Sequence, residues 1–491
     1  MNKQLKKLAG QTVIYGFSSV LGRLLNYLLV PLYTRLFLPE VYGIVTELYA
    51  YVTFLLILLT YGMETGLFRF GNDKQNFNKV YSSILFSLTV TSSVFIIIVL
   101  VFLEPIASAM QYSEHPEYIL WMALIVALDA FTSIPFARLR LENKAWKFAI
   151  IKLINICTNI GFNLFFLIYC PKLLNSNPDS FILNIYSPNI GVGYVFISNL
   201  LANIITLIIL LPEIFNVKIK VDFKLLKTIL KYSLPLLVAG FAGMINETLD
   251  RVMLKHLVSE ELNPMAQLGI YGANYKLAVL MTLFIQMFRY AAEPFFFQNK
   301  NESNARQLYA KATKYFIIFG LMIFLGVMFY IDIIKYFISP NYHEGLKVVP
   351  ILLIANLFLG IFFNFSIWYK LNDMTKYGAW LAIFGAVITI VLNLVLVPIY
   401  GYVGAAWATL VCYFLMTLLS FYWGQKYYKV PYEVGNGVFY FVLALSLYFV
   451  SVFLKPESQT LMYVLNTILL LVFVAIFVVK EKFWREFVKV K

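Results

Sequence analysis

Charge is what this sequence has least of. Only 13% of its 491 residues are Asp, Glu, Lys or Arg, against roughly 25% in soluble globular domains. No polar stretch is long enough to build a sizeable soluble domain. Cysteine is nearly absent as well. Cys157, Cys170 and Cys412 sit within or at the ends of apolar segments. Their spacing matches no metal site and no redox pair, so they read as small apolar core residues. No phosphate-cradling glycine loop precedes a Lys-Ser/Thr pair, which excludes ATP as the direct energy source. Neither a nucleophile elbow nor a zinc-binding HExxH is present. The extended hydrophilic loop of a membrane polymerase or glycosyltransferase is missing, and the loops 170–189 and 251–268 hold no catalytic set. The sequence therefore predicts no enzyme, no cofactor and no metal.

Apolar residues fill the space instead, at 61% hydrophobic and 18% aromatic. Runs of roughly 20 apolar residues, enough to cross a bilayer as a helix, recur along almost the whole chain. The expected fold is all-α and polytopic. About fourteen spans are expected, at 9–33, 41–63, 80–103, 118–137, 148–169, 190–212, 230–250, 269–292, 314–338, 348–369, 377–398, 402–423, 435–454 and 459–479. A membrane barrel would alternate apolar and polar residues in shorter segments, and no such alternation occurs. The basic opening MNKQLKK leads into an apolar run too long for a signal-peptide core and without a small-residue cleavage site. It reads as a retained first helix.

The charges that exist are sorted by side. Of the 39 Lys and Arg residues, 28 fall in the loops of one side and 7 in those of the other. By the positive-inside rule both termini are expected in the cytoplasm. This accounts for the net charge of +14 without nucleic acid, for which no recognition motif is present.

The chain also repeats itself. VYGIVTELYA (41–50) parallels IYGANYKLAV (270–279), which lays Tyr42-Gly43 on Tyr271-Gly272, and the same offset lays Glu64 on Glu293. RLEN (140–143) parallels KLND (370–373), and NLFFLIY (163–169) parallels NLVLVPIY (393–400), both with the offset greater by a single position. The unit holds six spans, an even number, so the halves share one orientation and a pseudo-two-fold axis along the membrane normal. The expectation is an N-lobe over 1–212 and a C-lobe over 213–423, facing across a cavity. Residues 424–491 add two further helices and a basic tail. Nothing in the plan requires more than one chain.

An ionisable residue at mid-membrane costs about 2.5–3.5 kcal/mol on insertion scales and must face protein or water. Arg23 lies roughly 20 Å along span 1. Thr12, Ser19, Arg23 and Asn26 share one helical face, a polar stripe on an apolar helix. Span 8 carries Tyr275, Thr282, Gln286, Arg289 and Glu293 on one face. Span 5 carries Lys152, Asn155, Asn159 and Asn163, and span 10 carries Asn356, Gly360, Asn364 and Trp368. The stripes of spans 1, 5 and 8 each hold a cation, which predicts a wet and net positive cavity. The candidate substrate-binding set is Arg23, Asn26, Lys152, Asn155, Asn159, Gln286 and Arg289.

Blander readings stand beside these. Arg289 and Glu293, like Glu247 and Arg251, are spaced to pair within one helix. Lys152 and Lys276 are near enough to span ends to snorkel. The asparagines can serve as helix-to-helix bonds. Arg23 has no acid three or four residues away, so its partner must come from another helix or a substrate. Glu47, Asp129, Glu247, Asp250 and Glu293 are candidates for gating or ion coupling, with Asp129, near the middle of span 4, the first proton-site candidate.

Four stretches carry a resemblance: Gly22-Arg23 in span 1, LPEVYG (38–43), LGIYGANYKL (268–277) and NLVLVPIYGYVGAAWATL (393–410). Through them the chain resembles the Wzx-type polysaccharide and O-antigen flippases of the multidrug/oligosaccharidyl-lipid/polysaccharide (MOP) exporter superfamily, over essentially its whole length. The resemblance implies the two-lobe fold shared by the MATE and MurJ branches. It implies a flippase of the bacterial inner membrane that moves an undecaprenyl-diphosphate-linked oligosaccharide between leaflets by alternating access. Polyprenyl-diphosphate glycan and membrane lipid would be its partners, with a polysaccharide polymerase and glycosyltransferases working beside it. Arg23 matches a cavity arginine of lipid II flippases of the MurJ type. The alternatives are a MATE-type cation-coupled antiporter, which would favour a cavity of Asp and Glu, and a lipid II flippase. A membrane glycosyltransferase or ligase fits less well.

Overall fold

The computed structural model describes residues 21–71, 76–217, 220–298, 302–454 and 456–482. Among them all regular structure is helical. That is the expected outcome for a chain whose backbone must satisfy its own polar groups in lipid. Two compact units divide between Val252 and Met253.

Residues 21–27 are helical, followed by α1 (Leu29–Leu36), α2 (Pro39–Thr60), α3 (Met63–Phe70), α4 (Phe77–Val101), α5 (Leu103–Ala109), α6 (Pro116–Leu141), α7 (Ala145–Leu164), α8 (Cys170–Ser176), α9 (Gly193–Phe215) and α10 (Phe223–Leu257). A π-helical turn, Phe165–Tyr169, links α7 to α8. The second unit continues with α11 (Pro264–Leu277), α12 (Val279–Gln298), α13 (Ala305–Phe329), α14 (Ile331–Ile334), α15 (Val349–Phe365), α16 (Ile367–Leu371), α17 (Thr375–Tyr400), α18 (Tyr402–Tyr427), α19 (Val434–Phe453) and α20 (Gln459–Lys480).

Twelve spans among the described residues are long and apolar enough to cross a membrane, or thirteen when the bent pair α11 and α12 counts as one. The first expected span, 9–33, lies largely outside the described residues, and Thr12 and Ser19 lie there with it. The sequence predicts span 8 as one helix over 269–292, but the chain breaks between Leu277 and Val279. The ladder tightens there into i→i−3 bonds from Ala278 to Tyr275 and from Met281 to Ala278. The Thr282 hydroxyl also donates to the Val279 carbonyl, a local bond of the kind that bends helices.

Membrane chemistry is visible on the helix surfaces. On α4, Val94, Ile97, Ile98 and Val101 are all exposed, as expected for side chains whose solvent is hydrocarbon. Prolines open α2, α6 and α11 at their first turn, where the missing N–H is no loss.

The repeat is written into local geometry. Asn143 and Asp373 hold equivalent places in the two repeats, and both adopt left-handed backbone (φ 59° and 55°) just past a helix end. In each, the next residue closes the helix by a six-to-one bond, Lys144 N–H to Leu139 C=O and Met374 N–H to Tyr369 C=O, both 2.8 Å. This is the Schellman stop. Asn163 and Asn393 are both fully buried. Each donates its amide to the carbonyl four residues back, Asn159 or Thr389, at 2.8 Å. α19 and α20 are the last two helices of the described residues. Lys314 of α13 binds them through Glu433 at 2.9 Å and Glu481 at 2.6 Å, and Asn466 donates to the Phe329 carbonyl at 2.8 Å.

Candidate functional site

In the first unit, the candidate residues gather around α7. At Gly22 the first helix comes close to it: a Cβ there would stand 2.8 Å from Ile156 Cδ1, the far end of a flexible side chain. Further along, the Tyr33 hydroxyl donates to Asn163 Oδ1 at 2.8 Å. The helix carrying Arg23 and Asn26 thus lies against the helix carrying Lys152, Asn155 and Asn159. Arg23 and Asn26 are both exposed. Among the described residues, no acid lies within 4.0 Å of Arg23.

Lys152 is half-buried, with its Nζ 4.0 Å over the Phe136 ring. Asp129 and Glu64 both lie within its electrostatic reach. Asn155 donates to Asn203 Oδ1 at 3.1 Å and to Thr206 Oγ1 at 2.9 Å. Asn203 also stands beside Asp129, and Asn199 donates to the Tyr49 hydroxyl at 2.7 Å. A polar layer therefore runs from Lys152 and Asp129 through α7 into α9. Asn203 and Thr206 are not among the residues singled out from sequence. Their signal is a further stripe, Asn199, Asn203 and Thr206, at steps of four and three on one face of α9.

The acids take different places. Glu47 is fully buried and accepts from the Tyr112 hydroxyl at 2.5 Å. Glu247 is exposed and Asp250 buried. The Arg251 guanidinium donates to the Glu247 carbonyl at 2.6 Å and stands 3.5 Å from the Asp250 carboxylate.

In the second unit, α12 holds Gln286, Arg289 and Glu293. Gln286 is half-buried. The Arg289 guanidinium lies 4.0 Å over the Phe363 ring and 3.8 Å from Glu293. Glu293 is bound more tightly by Lys370, at 2.5 Å. Tyr275 lies on the far side of the helix break, on α11, its hydroxyl 3.5 Å from Asn356 Oδ1. The α15 face of Asn356, Gly360 and Asn364, with Trp368 on α16, is buried within the unit, so these residues pack helix to helix instead of lining a wet wall. No group of three or more metal-ligating side chains occurs among the described residues.

Known proteins share the fold. Residues 8–300 match the polysaccharide biosynthesis protein family. The fold is similar to that of the lipid II flippase MurJ in an inward closed conformation (TM-score 0.73, 15% identity, covering 96% of this chain and 99% of that one). It is also similar to an inward-facing multidrug resistance MATE family transporter of the MOP superfamily (TM-score 0.65, 14% identity, covering 87% and 98%). An uncharacterized membrane protein of Methanocaldococcus jannaschii is 26% identical over 185 residues, which is 37% of this chain and 42% of the relative. The matched stretch thus spans about two fifths of that relative's length.

The fold is that of the class of helical membrane proteins to which these solved flippase and transporter structures belong. Within that class, the chain belongs to the polysaccharide biosynthesis protein family.

Proposed function

We propose that this protein flips undecaprenyl-diphosphate-linked oligosaccharide repeat units across the cytoplasmic membrane of a bacterium, for assembly of a surface polysaccharide. Both termini would lie in the cytoplasm. The two halves, 1–212 and 213–423, would alternate access to a cationic path, with 424–491 as an addition to the second.

The observation that carries this reading is Arg23. It is exposed, like Asn26, on a mostly apolar helix, has no acid within 4.0 Å among the described residues, and rides on the helix that holds Lys152. A cation kept at such cost is kept for an anion. A diphosphate supplies two or more negative charges, and the planar guanidinium fork matches its oxygens. Gln286 and Arg289 would serve the second half, and Asn26 and Asn159 would add neutral contacts beside Arg23 and Lys152. Asn155 is already committed to Asn203 and Thr206, so its part is to hold the layer that positions Lys152. Asp129, beside Lys152, is the proposed site of ion coupling, with Glu47, Glu247, Asp250 and Glu293 in gating or balancing roles.

The test is complementation. Expression in a bacterium lacking its own O-antigen flippase, with a matched glycan pathway, restores surface polysaccharide if the reading is right. Resistance to cationic drugs without restored polysaccharide would replace it with an antiporter.

A further inference from the structure

The two units build the same ion pair and then treat it differently. Glu64 is paired with Arg140, and Glu293 with Lys370. The offsets that align the two repeats lay Glu64 on Glu293 and Arg140 on Lys370, so the pairs are copies. Each copy also has a second cation. In the first unit it is Lys152, within reach of Glu64. In the second it is Arg289, 3.8 Å from Glu293.

The difference is Asp129. It lies within electrostatic reach of Lys152 and brings the first copy to two acids and two bases. The corresponding position in the second repeat is Leu359. Among the described residues, no other acid lies within 4.0 Å of Arg289 or Lys370. The second copy therefore holds two cations around one carboxylate, a net charge of one. Arg289 is fixed from above by the Phe363 ring, a contact that orients a guanidinium plane without using its donors. Its Nε is buried and makes no hydrogen bond among the described residues. This is a built cationic fork in which Glu293 fills only part of the available hydrogen bonding.

We infer that Arg289 and Lys370 form the phosphate-receiving station of the second unit, with Glu293 as an internal stand-in that the incoming phosphate displaces. Lys370 is thereby a substrate-binding residue, whereas its first-unit counterpart Arg140, paired with Glu64, takes no phosphate. The inference rests on the reading above, because it takes the diphosphate of a polyprenyl carrier as the ligand. Displacement costs little: the Glu293 and Arg289 side chains are both 40% exposed, so the released carboxylate keeps contact with water.

The experiment measures binding of undecaprenyl diphosphate to the full-length protein in detergent, with undecaprenol as the neutral control. Glu293→Gln removes the competitor and should tighten binding about tenfold, the scale of one charge-assisted contact. Lys370→Gln should weaken it by a similar factor. Glu64→Gln and Arg140→Gln, the built-in controls, should each shift it less than about twofold. If Glu293→Gln weakens binding, or if the first-unit substitutions act as strongly as the second, the station is overturned while the flippase reading stands. If wild type does not prefer the diphosphate to undecaprenol, both fall.

Discussion

Lys370 Nζ stands 2.5 Å from Glu293 Oε1, and the same contact recurs between Arg140 and Glu64 in the other half of the chain. Each joins a helix near the start of its repeat to one near the middle. The Glu64 and Arg140 side chains are 40% and 44% exposed, which limits what their pairing can contribute. Exposed pairs are worth about 0–1 kcal/mol. Arg140→Gln is therefore expected to lower the unfolding free energy by less than about 1 kcal/mol, read as a small drop in thermal midpoint in detergent. A large drop would mean the pair is a structural clamp.

The buried asparagines give a sharper contrast. Asn163 Oδ1 accepts from Tyr33 at 2.8 Å, whereas Asn393 Oδ1 is buried with no hydrogen-bond partner among the described residues. Asn163→Ala leaves the Tyr33 hydroxyl orphaned, at a cost of about 1–3 kcal/mol, and should lower the thermal midpoint more than Asn393→Ala. Adding Tyr33→Phe to Asn163→Ala should recover part of the loss. Equal losses from the two alanines would contradict this.

Where α17 meets α18, a Cβ on Gly404 would stand 2.3 Å from the Leu396 carbonyl oxygen. Backbone cannot swing aside as a side chain can. Gly404→Ala should destabilise by about 1–3 kcal/mol or more and reduce folded yield. Gly435→Ala, with nothing within 4 Å, is the neutral comparison. Equal yields and melting curves would show that α17 and α18 have slack at their crossing.

The C-terminal pair of helices hangs on Lys314, held between Glu433 and Glu481. Glu481 is nearly buried, its side chain 7% exposed. Lys314→Met strips the cation from a buried acid, a change that costs about 3–5 kcal/mol in fully buried cases. It should open the 428–434 connection to protease. Glu433 lies outside the spans, and its carboxyl is held below the ordinary glutamate range. Burial pushes it up, but hydrogen bonds from Lys314 and Asn436 outweigh that. A depressed carboxyl stabilises the folded state above its unfolded pKa, and this is lost as pH falls through the depressed value. Wild type should therefore lose thermal stability below about pH 4, and Lys314→Met should lose less over the same interval.

Much of the architecture was legible because its causes are local. Apolar length marked the spans. Two offsets that differ by one position already aligned both members of each ion pair, Glu64 with Glu293 and Arg140 with Lys370. Their pairing stayed hidden because Arg140 and Lys370 count as loop charges that set orientation. Asn155 shows a second limit. A polar stripe says which way a helix turns its amides, not whether a neighbour or a cavity receives them. Here the receivers are Asn203 and Thr206, on α9. The break between α11 and α12 has no proline or glycine to announce it.

The most direct test of the whole account is transport by the purified protein. Proteoliposomes carrying a fluorescent undecaprenyl-diphosphate oligosaccharide on one leaflet report how fast the glycan reaches the other. The account predicts wild-type movement above protein-free vesicles, and a loss of about tenfold or more for Arg23→Ala on removal of a charge-assisted phosphate contact. Arg23→Lys should keep part of the rate, since it preserves the charge but not the fork. Arg23→Ala moving glycan at the wild-type rate would contradict the account.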